Sequence, residues 1–139
     1  MRASSPIGWK DRGLQLATAS CYVAVAVLAA VPAQLRPHVP AASDKIEHIL
    51  AFLVLGALTT IAGTRWMSAR RLMAVVVAYA VILELGQMFI PGRDASVMDM
   101  AASSAGAILG VTLALWIDHS SMRHKHVRFA VSGGDDERS

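Results

Sequence analysis

The sequence predicts an all-α fold, a membrane bundle of four transmembrane helices with both termini cytoplasmic, and three observations predict it. Of 139 residues, 55% are hydrophobic and 17% charged, with a mean hydropathy of +0.48. That balance belongs to a bilayer rather than to an ordinary soluble domain. The apolar residues also fall into four runs, each close to the ~20 residues a membrane helix needs. Finally, Lys and Arg are sorted by side. The N-terminal arm, the loop holding Arg65, Arg70 and Arg71, and the C-terminal tail carry ten of them, whereas Arg36, Lys45 and Arg93 are the other three. The positive-inside rule places the ten in the cytoplasm and the two short polar loops outside.

Residues 1–13 are polar and basic, and read as a cytoplasmic arm. Leu14 to Val31 carries no charge and forms the first span; it exceeds the roughly 7–15 apolar residues of a secretory signal, so a retained helix is expected rather than cleavage near Ala33. Pro32, Pro37 and Pro40 then forbid a continuous helix. The second span runs from about Asp44 to Gly63, with Asp44 as a cap and Glu47 three residues on. The basic loop follows, with Trp66 suited to an interface belt.

The third span, Leu72 to Ile90, is uncharged until Glu84 and is stopped by Pro91 and Gly92. On that reading Glu84 lies roughly 9 Å inside the helix end. A charged carboxylate at the centre of a membrane helix costs on the order of 3 kcal/mol, less near the edge, so Glu84 calls for a partner. The fourth span runs from about Val97 to Ile117, opened by a Ser96 and Asp99 capping pair. Residues 118–139 lack an apolar period and read as a disordered basic cytoplasmic tail, with His119, His124 and His126 among Arg123, Lys125 and Arg128, a composition that favours anionic lipid.

This topology gathers polar residues at one end. The candidate binding residues are Asp44, Lys45, His48, Glu84, Gln87, Arg93, Asp99 and Ser103; His48, Glu84 and Asp99 are the candidates for acid–base catalysis. Glu84 and Gln87 are three apart, Asp44 and His48 four, and Asp99 and Ser103 four, so each pair shares a helix face. Lys45 and Arg93 are the cations available to an anionic headgroup or to lipid phosphates. Ala102, Gly106 and Gly110 repeat every four residues and offer a face for close helix packing or oligomerisation.

Several classes are disfavoured. One histidine and two carboxylates, His48, Glu84 and Asp99, can ligate a divalent ion, but without an HExxH or paired-Cys signature no metal or other cofactor is expected. A lone cysteine, Cys21, excludes an intrachain disulfide. No motif points to nucleotide binding, Ser-His-Asp chemistry or nucleic acid.

The stretches SDKIEHILAFLVLG and ELGQMFIPGRDASVMDMAASSAGAILG resemble the VanZ-like family of small bacterial membrane proteins, named for a member tied to teicoplanin resistance. The matching positions are Asp44, Lys45, His48, Glu84, Gln87, Arg93, Asp99, Gly106 and Gly110, over roughly residues 14–117. Ser103 departs from the asparagine frequent in the family, though a hydroxyl also donates and accepts. The resemblance implies a polytopic protein of the cell envelope, at the bacterial inner membrane, and no particular reaction. The expected function is binding of a lipid headgroup, a lipid-linked envelope precursor or a membrane protein partner. The alternative is a membrane-embedded enzyme acting on such a lipid with a His and carboxylate pair.

Overall fold

The computed structural model describes residues 9–35 and 41–132, with side chains over 11–35 and 43–120. The expected arm before Trp9, the loop around Arg36, Pro37 and Pro40, and the tail from Gly133 lie outside the described residues. So do the tail's side chains from Ser121 onward. The described residues form α1 (Trp9–Ala29), a single 3-10 turn (Ala33–Leu35), α2 (Ala41–Gly63), α3 (Ala69–Gln87) and α4 (Val97–Ser132). The all-α class is as expected. Among the described residues, α1, α2 and α4 are long and apolar enough to cross a membrane. The 19-residue α3 is not in that group, because it carries Arg70, Arg71 and Glu84.

Element bounds differ from the sequence-based expectation where polar residues join a helix. The first helix begins at Trp9 rather than Leu14, taking in the polar residues before the apolar run. It ends at Ala29, three residues before Pro32, since a residue ahead of proline is driven out of the α region. The second begins at Ala41, which puts Asp44 within the first turn instead of at the cap. The third closes at Gln87, short of Ile90, because the N–H groups of Met88, Phe89 and Ile90 bond to carbonyls three residues back as the chain nears Pro91. Glu84 is therefore about 4.5 Å, not 9 Å, from its helix end. The fourth continues to Ser132, beyond Ile117, since residues 118–132 contain neither Gly nor Pro.

Three contacts sort the helix ends. Asp11 at the start of α1 pairs with Arg65 beyond α2 at 2.9 Å. At the opposite end Lys45 of α2 meets Asp99 of α4 at 3.2 Å, and Arg93 meets the last carbonyl of α1, that of Ala29. The helices thus alternate in direction, and one end of the bundle collects the polar candidates.

The closest packing is between α2 and α4, and glycine permits it. A Cβ at Gly106 or Gly110 would overlap the backbone of α2 at Ile49 or Leu53, and one at Gly56 would press on the Ala107 carbonyl. Gly106 and Gly110 are therefore filled by α2 of the same chain, so this part of the small-residue stripe is not left open for a second copy. Phe52, Leu55, Val76, Ala80 and Ala107 form the core beside this seam.

A polar layer crosses the middle of the bundle. The Tyr79 hydroxyl of α3 donates to the Tyr22 carbonyl of α1 at 2.6 Å, and the Tyr22 and Thr59 hydroxyls pair at 3.0 Å. The two tyrosine rings meet edge to face, 4.7 Å between centroids. These bonds hold α1, which is otherwise lightly packed, and interhelical bonds in an apolar surrounding contribute about 1 kcal/mol each. Tyr79→Phe is expected to lose about that much stability, read as a lowered unfolding midpoint in detergent; an unchanged midpoint contradicts the assignment.

Outside the core, Leu16, Val23, Val27, Leu50, Ile61 and Ile82 are each at least half exposed. A surface this apolar over so many turns is the one a lipid environment covers.

Candidate functional site

The polar end is assembled from the last turn of α3, the Pro91–Gly92 turn, and the first turns of α2 and α4. Arg93 N–H bonds to the Ile90 carbonyl at 3.1 Å, and Gly92 takes φ of 75°. Only a residue without a Cβ tolerates that conformation readily. A Cβ there would also press on Gln34 at 2.9 Å, so the turn lies directly against the segment after α1.

That turn aims Arg93 at the C-terminus of α1. Its guanidinium donates to the Ala29 carbonyl at 3.1 Å and the Val31 carbonyl at 3.4 Å. Cation and helix C-terminus suit each other, since unpaired carbonyls leave partial negative charge there. Lys45 is likewise engaged, with Asp99. Both cations expected to receive an anion are thus involved in holding the bundle together.

Glu84 is 2% exposed, and its Oε1 accepts the Ser96 backbone N–H at 2.7 Å. Ser96 precedes α4 and its hydroxyl accepts the Asp99 N–H at 3.2 Å, which is one half of a capping box. In the usual box the side chain at the Asp99 position would take the Ser96 N–H. Here Glu84 takes it from another helix, and Asp99 turns to Lys45. Among the described residues, every fully buried side-chain N and O has a partner.

His48 is held from two sides. Its Nδ1 lies 3.0 Å from the Ser103 hydroxyl, itself 2% exposed, and its Nε2 lies 3.8 Å from Asp44 of the preceding turn. The structure therefore groups Asp44, His48 and Asp99, with one donor atom of each within 4.8 Å of the others. Glu84 belongs to a different contact, with Ser96.

His48 and Glu84, one from each contact, line a cavity of about 110 Å³ between α1 and the other helices. Its walls are Val25, Leu28, Phe52, Ala80 and Leu83, and its polar rim is Glu47, His48, Glu84, Gln87, Arg93 and Ser103. At ~30 Å³ per water, it has room for roughly four waters or a small headgroup fragment, not a whole lipid. Sequence periodicity found most of this rim. It missed Glu47, whose place in the cavity depends on how α2 rotates against α1, and the His48–Ser103 contact, because those two residues lie on different helices with two loops and the whole of α3 between them.

Four helices with a lipid-suited surface and one polar end define a small helical protein of membrane type. A family model described as VanZ/LLP1 matches residues 10–118, and the chain belongs to that family. No match was found to a curated protein or to a solved structure.

Proposed function

We propose that the chain is a multi-pass protein of a bacterial inner membrane, with α3 completing four spans, both termini cytoplasmic and the polar end in the outer leaflet. The distribution of Lys and Arg supports that orientation. Arg70 and Arg71 lie in the first turn of α3, where long side chains reach the interface.

In this reading the cavity binds the headgroup of a lipid or of a lipid-linked envelope precursor. One observation carries it: an apolar wall from three helices leads to a rim holding His48, Glu84, Gln87 and Ser103. Apolar walls suit the start of an acyl or isoprenoid chain, and a few fixed polar groups orient the head. A role for a protein partner is weaker, because the rim is recessed between helices.

Ala51 lines the cavity, so Ala51→Phe fills it without removing a polar group. Native mass spectrometry of the protein extracted from membranes is expected to show a retained lipid in the wild type and several-fold less in Ala51→Phe. Equal occupancy in both contradicts the site.

The alternative is an enzyme acting on such a lipid, favoured by His48 standing between Ser103 and Asp44 on the cavity rim. Ser103 sits within α4, however, where neighbouring backbone N–H groups serve the helix ladder and cannot form an oxyanion hole. Incubation with lipid-linked precursors separates the readings: a product of altered mass means catalysis, and unchanged substrate means binding.

A further inference from the structure

We propose that Asp44, His48 and Asp99 form a site for a divalent first-row transition ion such as Zn²⁺ or Mn²⁺. His48 and its partner Ser103 also line the cavity, but the proposal stands on the geometry of the three ligands and not on lipid binding. Asp44 and His48 stand one helical turn apart on α2, a spacing that brings two ligands to one face, and Asp99 arrives from α4. One nitrogen and two carboxylate oxygens suit such an ion better than Ca²⁺ or Mg²⁺, which favour all-oxygen shells.

The histidine carries the strongest indication. Imidazoles that bind metal usually donate their second ring N–H to a fixed acceptor, which sets the tautomer and the ring plane. Ser103 Oγ is placed for that role at 3.0 Å from Nδ1, and its burial fixes the position. With the proton on Nδ1, Nε2 presents a lone pair toward a carboxylate 3.8 Å away, beyond hydrogen-bond range. In that tautomer a cation seated between the imidazole and the carboxylate would take both as ligands.

Lys45 currently supplies positive charge to Asp99 from the solvent side, with its side chain about one-third exposed at 35%. Metal entry requires the ammonium to swing toward the interface and the three ligands to contract. Donor atoms around Zn²⁺ at about 2.1 Å lie roughly 3 to 3.5 Å apart. Lys45 is thus a built-in competitor. Three protein ligands also leave a coordination position for water or an oxygen of an anion.

The test uses the full chain in detergent with His119, His124 and His126 changed to Gln, so that tail imidazoles do not contribute. Zn²⁺ titration is expected to give one equivalent bound, and Co²⁺ the visible absorption bands of a site with few ligands. Asp44→Asn and Asp99→Asn should each weaken binding at least roughly tenfold, and Ser103→Ala by roughly 10- to 100-fold, as loss of an orienting partner does. Lys45→Ala should tighten it, which a loose surface association would not show. Circular dichroism confirms that each variant is folded. Absence of stoichiometric binding overturns the proposal, as does an affinity unchanged in folded Asp44→Asn and Asp99→Asn, or one that Lys45→Ala weakens.

Discussion

Glu84→Ala will lower the unfolding midpoint in detergent substantially, and Glu84→Gln will lower it much less. The carboxylate of Glu84 accepts the Ser96 N–H at 2.7 Å, directly before α4. That N–H is one of the orphan donors at a helix start, where partial positive charge also favours an anion. Alanine removes the acceptor and leaves the donor without it in a partly buried place, at a cost of about 2–3 kcal/mol. Glutamine keeps a carbonyl oxygen in reach and forfeits only the charge, about 1 kcal/mol. Equal losses would mean that the charge of Glu84 matters more than its hydrogen bond. No loss in either variant would remove Glu84 from the structural account.

The second large effect is expected at the α2–α4 seam. Gly110→Leu places a branched side chain where the Leu53 carbonyl and the Ala57 N–H already lie, at a position with backbone rather than flexible side chain opposite. The helices must separate, which unseats Val111, Ala107 and Leu55 from the core as well. Overpacking alone costs about 1–3 kcal/mol, and loss of core contacts adds to it. The variant is expected to elute as aggregate in size-exclusion chromatography, with Gly110→Ala impaired in the same direction. By contrast, Gly86→Ala meets nothing within 4 Å and should behave as wild type. A monodisperse Gly110→Leu protein with an ordinary midpoint would contradict the packing.

Much of this was legible in the sequence because it depends on periodicity and on the order of helices. The pairs Asp44–His48 and Asp99–Ser103 share faces by spacing alone, and alternating helices must bring the starts of α2 and α4 to the same end as the turn after α3. What spacing does not give is rotation about each helix axis. That rotation decides that His48 faces Ser103 while Glu84 faces Ser96, so His48 and Glu84, both candidates for acid–base catalysis, are not partners in the observed hydrogen bonds and ion pairs. Glu84 also has a backbone partner, and a backbone N–H carries no residue identity by which a sequence could announce it. The tyrosine layer escaped for a similar reason, since Tyr22 and Tyr79 read as ordinary members of apolar runs until their hydroxyls are placed. The charges of α3 have the opposite lesson: the apolar run alone suggested a span, and Arg70 and Arg71 belong to the same helix.

The starts of α2 and α4 meet at one polar end, opposite the end that holds Arg65. Cross-linking measures this directly in a Cys21→Ser background, using a short thiol-reactive bridge on the protein in native membranes. Lys45→Cys with Asp99→Cys is predicted to link rapidly and in high yield within one chain, since the native side chains are 3.2 Å apart, while Lys45→Cys with Arg65→Cys, separated by the length of α2, stays unlinked. An unlinked first pair, or equal linking of both, would contradict the account.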